Sequence, residues 1–177
     1  MCNYEWLKGY LDGISKLNSI YGHDADYFYE LRIIDRQDTP LETIICANKE
    51  WEGKFLSTFE YKIEKLHNGF KGLEEYINKW FLEHIRGVLI SSGIDRPYDK
   101  ETTVINSNKR KISNASDEFI IKLKEYLYEG ADIYKFKLET YSKKPETPID
   151  YSFEYFGDRI LIYGATKSLI LSLEATD

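Results

Sequence analysis

Residues 151–173 read YSFEYFGDRILIYGATKSLILSL, and this stretch is the strongest indication of the fold class. Tyr151 to Phe156 and Arg159 to Tyr163 are rich in aromatic and β-branched residues, which is typical of strands. Gly157-Asp158 separates them, and this pair predicts a two-residue hairpin turn. Leu169 to Leu173 predicts a further strand. Strands joined by such short turns indicate an antiparallel sheet.

The same kind of pattern extends upstream. Ile133 to Leu138 alternates apolar and polar residues, the period of a half-buried strand. Three more strands are predicted in the first third of the chain, and a turn at Gln37-Asp38-Thr39-Pro40 joins the first two into a hairpin. These strands are residues 26–35, Leu41 to Ala47, and residues 53–64, for which a helix is the competing interpretation.

Three stretches have the spacing of amphipathic helices, with apolar residues three and four positions apart. They are residues 4–21 with Asn3 as N-cap, residues 72–91, and residues 117–128 with Ser116 as N-cap. Because strands follow one another instead of alternating with helices, the order predicts one α+β domain over residues 1–177. We expect a mainly antiparallel sheet of about six to seven strands packed with three principal helices. The polar connection 91–115 either hides a short strand or carries function.

The charge balance narrows the classes of function. The 177 residues include 24 Lys and Arg against 30 Asp and Glu, a formal net charge of −6. Because affinity for phosphate backbones comes from clustered basic residues, we expect no nucleic-acid partner. The chain has no basic N-terminal region before an apolar run and no apolar stretch of about 20 residues, so we expect a cytoplasmic protein without a membrane partner. Cys2 and Cys46 form no disulfide or zinc motif.

The sequence lacks the motifs that would indicate an enzyme or a cofactor. It has no GxxxxGKS/T, GxGxxG, GxSxG or HExxH pattern, so we expect no cofactor, no metal site and no catalytic residues. His23, His67 and His84 are scattered, and Cys46 lies in an apolar run where a thiol usually packs as a small hydrophobe. A small hydrolase or nuclease that uses carboxylates around His84 or His23 is an alternative interpretation.

Acidic residues are concentrated near the N-terminus. Residues 1–60 contain 11 Asp and Glu against 6 Lys and Arg, and six of the acids flank a tyrosine-rich segment of the predicted hairpin. Tyrosine supplies a large contact area at low entropic cost, and carboxylates steer basic partners. The sequence therefore predicts a partner-binding surface of Asp24, Asp26, Tyr27, Tyr29, Glu30, Asp35, Asp38 and Glu42. The competing interpretation is a solvated face whose aromatic side chains enter the core.

The chain opens with Trp6-Leu7 and Ser19-Ile20-Tyr21-Gly22 and ends with Phe156-Gly157-Asp158-Arg159-Ile160-Leu161-Ile162-Tyr163. With its small size, acidity and abundant aromatic residues, it resembles the immunity proteins of bacterial contact-dependent growth inhibition and other polymorphic toxin systems. The resemblance implies that the chain binds a cognate toxin domain, often a nuclease with a basic cleft, and covers its active site. A homo-oligomeric structural or regulatory protein, joined through an apolar edge strand or a tyrosine-rich face, is a further alternative.

Overall fold

The computed structural model describes residues 3–21, 26–54, 58–91, 115–128, 130–141 and 156–176. In chain order the helices and strands are α1 (Tyr4–Tyr21), β1 (Asp26–Ile34), α2 (Pro40–Lys54), β2 (Thr58–Lys65), α3 (Phe70–Ser91), α4 (115–127), β3 (Ala131–Tyr141), β4 (Phe156–Gly164) and β5 (Ser168–Thr176).

The strands form one sheet in the order β1-β5-β4-β3-β2, with every neighbouring pair antiparallel. The predicted α+β class and the antiparallel sheet are thus confirmed. Within the described ranges the sheet has five strands, and four helices accompany it, so the expected six to seven strands and three helices differ from the structure in number. The boundary of a single domain over residues 1–177 stays a prediction.

Helices pack on both faces of the sheet. On the face that we call the three-helix face, α1, α3 and α4 contribute Leu7, Ile77 and Leu123 to the main core. The opposite face, the α2 face, has a smaller cluster of Ile44, Phe136, Leu161 and Ile170. Full burial of one such side chain stabilises the fold by roughly 1.5–3 kcal/mol. Because side chains alternate along a strand, the odd-numbered residues of β1 point to the three-helix face and the even-numbered residues to the α2 face.

Residues 40–54 form a helix, so the predicted strand from Leu41 to Ala47 was wrong, and the bend at residues 38–39 leads into this helix and joins no hairpin. Thr39 is the N-cap of this helix: its Oγ1 accepts a hydrogen bond from the Glu42 backbone N–H at 3.2 Å. Glu42 Oε2 in turn accepts the Thr39 backbone N–H at 3.1 Å, and Pro40 occupies the first helical position. This capping box was present in the sequence, but a short Ile-rich run fits a strand and a buried helix equally well.

Gly157-Asp158 lies inside β4, so the predicted hairpin turn at this pair was wrong. The hairpin turn lies between β4 and β5, where the Gly164 N–H donates to the Lys167 carbonyl at 3.0 Å. A Cβ at Gly164 would collide with that same carbonyl, so the close approach of the two backbones requires glycine. Asp158 is therefore a strand residue of β4 and not a turn residue. The upstream part of the predicted hairpin, residues 151–155, lies outside the described residues.

The three helices expected from the sequence are present. Asn3 caps α1, because its side-chain oxygen accepts the Trp6 N–H at 2.8 Å. The helix predicted from residue 117 already includes residue 115, which places Ser116 inside it. Residues 92–114 of the polar connection lie outside the described part of the chain. None of the helices in the described ranges carries an apolar stretch long enough to span a membrane.

Candidate partner-binding surface

The two tyrosines of the predicted surface point into the core. As odd-numbered residues of β1, Tyr27 and Tyr29 face the three-helix side of the sheet. Tyr29 is 8% exposed, and its hydroxyl donates to the Trp80 carbonyl at 2.9 Å. Tyr27 is half-buried against the main core. This corrects the expectation of exposed tyrosines and agrees with the competing interpretation, in which the aromatic side chains enter the core. Asp24 lies outside the described residues.

The acidic residues of β1 lie on the opposite side. Asp26 and Glu30 are exposed, and as even-numbered residues they belong to the α2 face. Phe28 lies between them and is 54% exposed. Glu30 contacts Arg32, with 3.4 Å between the carboxylate oxygen and the guanidinium nitrogen. Phe28 was not among the predicted surface residues, although the period-two pattern of residues 26–30 already places it between the two acids.

Three exposed acids lie where β1 passes into α2: Asp35, Asp38 and Glu42. Contacts with the end of β4 hold this connection in place. The Tyr163 hydroxyl lies 2.7 Å from the Gln37 carbonyl and 3.0 Å from the Asp38 carbonyl. Arg36 donates from Nε to the Gly164 carbonyl at 3.0 Å, and its guanidinium stacks 4.4 Å from the centre of the Tyr163 ring. The carboxylates of the connection are therefore presented from an ordered backbone.

We call these five exposed acids the β1–α2 acidic surface: Asp26, Glu30, Asp35, Asp38 and Glu42. The surface is elongated, because the eight residue steps of β1 span roughly 27 Å at about 3.4 Å per step. That length suits one side of a standard protein interface, which covers about 800 Å². Glu42 also caps α2, so a substitution there would change the helix as well as the surface.

Among the described strands β1 is the outer one on its side of the sheet, and helix α1 closes its outer edge. Ser15 Oγ donates to the Tyr27 carbonyl at 2.8 Å, and Ser19 Oγ accepts the Tyr27 N–H at 2.8 Å. At the other end of the strand, the Tyr4 hydroxyl donates to the Leu31 carbonyl. These hydroxyls replace the backbone groups of an absent strand and protect an edge that would otherwise be open to pairing.

A groove of about 320 Å³ lies between α1 and this protected edge. Glu5, Asp12 and Glu30 line it together with Lys8, and Gly9 leaves space on the helix side. The pKa of the Tyr4 hydroxyl is raised, chiefly by burial, and the charge of Glu30 adds to the rise against an opposing backbone hydrogen bond from Ile33. Acidic side chains of β1 and α1 thus share this groove with Lys8, and Asp12 is paired with Lys16. Glu5 and Asp12 lie outside the hairpin that the sequence predicted, so they were not among the expected surface residues.

No family model, curated protein or solved structure matches this chain. Similarity to a known protein therefore assigns it to no catalytic family. A function for the chain is therefore inferred from the chemistry of its described side chains.

Groups that could support catalysis or metal binding are dispersed over the described residues. Nowhere in those ranges do three His, Cys, Asp or Glu side chains gather into a possible metal site. Cys46 is a free, exposed thiol on α2, which corrects the expectation that it packs as a hydrophobe in a strand. His67 is exposed in the turn before α3, while His23 and the side chain of His84 lie outside the described part.

Two carboxyl groups meet where α3 and α4 begin. The pKa of Glu74 is raised, first by burial and then by a hydrogen bond and the charge of Asp117. The nearby positive charges of Lys124 and Lys71 oppose this rise. A single carboxyl pair with two lysines nearby fits a packing contact between α3 and α4 and lacks the further groups that a catalytic site would need.

The most buried ion pair of the described residues joins Lys135 of β3 to Asp158 of β4. Asp158 also accepts the Trp80 indole N–H at 3.0 Å. Burial lowers the pKa of Lys135, but the hydrogen bond and charge of Asp158, with a contribution from Tyr76, outweigh burial and leave the pKa raised. The lysine is therefore held in its charged form, which suits a structural link between the sheet and α3 and does not suit a nucleophile.

Proposed function

We propose that this chain is an immunity-type binding protein, which neutralises a cognate toxin domain by covering its active site. The observation that supports the proposal is the β1–α2 acidic surface. Between residues 26 and 42 the sequence has five acidic side chains and two basic ones. One of the two, Arg36, is stacked on Tyr163 and bonded to a carbonyl, so it pairs with no acid of the surface in the described contacts. The surface thus keeps an excess of negative charge.

The mechanism that fits this surface is rigid electrostatic docking. Asp26 and Glu30 project from a strand paired along its whole length with β5, and Asp35 and Asp38 project from a connection tied to β4. Fixed carboxylates lose little conformational freedom on binding, so more of their attraction appears as affinity. They also accelerate the encounter with a basic partner. In a toxin with a basic substrate cleft, such a surface would occupy the place of the substrate and exclude it sterically.

The proposed setting is the cytoplasm of the cell that makes the chain, where the toxin domain would otherwise act. The partner is a protein and not a nucleic acid, because the acidic surface repels phosphate groups. The proposed activity is binding, with no reaction catalysed by the chain itself.

The test compares two charge variants of equal size. The first carries Asp26→Lys, Asp35→Lys and Asp38→Lys, and leaves Glu42 intact because it caps α2. The control carries Glu64→Lys, Glu75→Lys and Glu125→Lys, which are exposed acids elsewhere in the fold. Each tagged protein is used to capture partners from cells of its own source, and the captured protein is then produced alone and together with each variant.

The proposal predicts a basic protein that arrests growth when produced alone. Co-production of the wild-type chain or of the control variant restores growth, and the first variant fails to do so. A captured protein that is harmless alone would contradict neutralisation. Rescue by the first variant at the wild-type level would contradict the assignment of the β1–α2 acidic surface.

A further inference from the structure

Phe28 is an aromatic side chain in the middle of a regular strand that is nevertheless 54% exposed. The α2 cluster of Ile44, Phe136, Leu161 and Ile170 does not include it. Apart from Ile33, which is 49% exposed near the end of the same strand, the other exposed large apolar residues of the described ranges lie in or next to helices. Phe28 instead belongs to a strand that is hydrogen-bonded to β5 from Asp26 to Ile34. It is therefore an exposed aromatic side chain on a backbone that is fixed by strand pairing.

Carboxylates surround this ring. Asp26 and Glu30 are the neighbours of Phe28 on the same face of β1, and Glu174 is its direct partner across the strand pair. Two arginines pair with two of these three acids: Arg32 contacts Glu30, and Arg159 Nη2 lies 2.9 Å from the Glu174 carboxylate. The three acids still outnumber the two arginines, so the charge around the ring stays negative. An aromatic ring in an acidic surround is the complement of an apolar depression rimmed by Lys and Arg.

We propose that Phe28 is the anchor by which this chain docks onto a basic protein, with its ring in an apolar pocket and Asp26 and Glu30 facing the basic rim. The inference rests on the proposed function and adds the face of the sheet and the chemistry of the partner. Aromatic residues at the centre of an interface commonly dominate its binding energy, while a ring of charged contacts excludes water and sets specificity.

The same charges decide against the other possible occupants. If two copies docked symmetrically, each through this face, Asp26 and Glu30 of both chains would be brought together, and like charges across an interface cost several kcal/mol. An anionic membrane surface and a nucleic acid would meet the same repulsion. A basic protein is the one class for which both the ring and its surround are favourable.

The experiment places a photo-crosslinking amino acid, p-benzoylphenylalanine, at position 28 of the full chain in the cells that produce it. The control places it at position 128, because Tyr128 is also a strongly exposed aromatic residue, 69% exposed, but lies at the end of α4. We expect an adduct with one basic protein at position 28 and none with that protein at position 128. Adducts only with a second copy, only with nucleic acid or lipid, or with no molecule at all would each overturn the proposal.

The protein found in the adduct is then purified, and its dissociation constant is measured for wild type, Phe28→Ala and Tyr128→Ala. We expect Phe28→Ala to weaken binding at least about thirtyfold, while Tyr128→Ala changes it by less than about twofold. Because Phe28 is exposed, its removal should move the thermal midpoint by no more than about 2 °C. Unchanged affinity of Phe28→Ala would overturn the anchor.

The outcomes separate this inference from the proposed function. A partner that depends on Phe28 but does not arrest growth when produced alone leaves the anchor standing and removes neutralisation. A toxic partner that the chain neutralises without any dependence on Phe28 leaves neutralisation standing and removes the anchor.

Discussion

Removing the Ser19 hydroxyl should loosen the contact between α1 and the outer edge of β1. In the wild type this oxygen accepts the Tyr27 N–H at 2.8 Å and donates to the Ser15 carbonyl at 3.1 Å. An unsatisfied buried donor costs roughly 1–3 kcal/mol, and the lower half of that range applies because the site is only partly buried. Alanine returns about 0.5 kcal/mol through its higher helix propensity. We therefore expect Ser19→Ala to lower the free energy of unfolding by about 1 kcal/mol, and Ser15→Ala combined with it by about 2 kcal/mol.

The assay is urea unfolding combined with hydrogen exchange of the Tyr27 amide. For a chain of this length, a loss of 1 kcal/mol corresponds to roughly 2–4 °C in the thermal midpoint. Asp12→Ala is the matched control, since its side chain is exposed on the same helix and its ion pair with Lys16 is worth little. If Ser19→Ala leaves both the unfolding free energy and the exchange rate of the Tyr27 amide at wild-type values, the hydroxyls do not protect the strand edge.

Three further substitutions test the fold and its response to pH. Asp158→Ala should cost about 2 kcal/mol by urea unfolding, because it leaves Lys135 and the Trp80 N–H half-buried without their acceptor. The pKa of Lys135 is raised above its ordinary value of 10.5, so the stabilisation from its pair with Asp158 is fully present below that pH. This stabilisation is lost as pH rises through the higher, folded-state pKa. If Asp158→Ala lowered the unfolding free energy equally at every pH, the ion pair would be contradicted. Thr39→Ala should cost about 1 kcal/mol and lower the helix signal, and no change would refute the capping box. The pKa of Glu74 is raised above 4.5, so the protonated side chain fits the fold better than the charged one. Its full contribution to stability is present below pH 4.5 and is lost as pH rises through the folded-state pKa. Glu74→Gln, which stays neutral, should therefore be more stable than wild type at pH 7 and equal to it in acid, as thermal unfolding at both pH values would show.

The sequence was sufficient to predict the class of fold and the strongest elements. Strand β1, helix α3 and strand β5 have long, regular patterns that leave little choice of secondary structure. Helix α2 was missed because its apolar run is short, and the decisive signal was the local Thr39-Pro40-Leu41-Glu42 capping box. The turn at Gly157-Asp158 was misplaced because a dipeptide propensity is weaker than the pairing of β4 with β5, which extends from Phe156 to Tyr163.

The sequence predicted part of the candidate surface, namely its acidic residues. Acidic residues rarely enter a core, so composition alone suffices to place Asp26, Glu30, Asp35 and Asp38 on the outside. To place Tyr27 and Tyr29 in the core, both the alternation of β1 and the position of α1 have to be known. The alternation can be read from the sequence, whereas the position of α1 depends on tertiary structure. The contribution of α1, through Glu5 and Asp12, could not be predicted because it depends on how α1 packs along the outer edge of β1, which the sequence pattern does not specify.

The measurement that bears most directly on the proposed function is the affinity of the purified complex at low and high salt. It compares wild type with the Asp26→Lys, Asp35→Lys, Asp38→Lys variant and with the Glu64→Lys, Glu75→Lys, Glu125→Lys control. We expect wild type and control to bind equally and to weaken between about 0.05 M and 0.5 M salt, and the first variant to bind at least about tenfold more weakly at low salt with a flatter salt dependence. Equal affinity and equal salt dependence of all three proteins would contradict docking through the β1–α2 acidic surface.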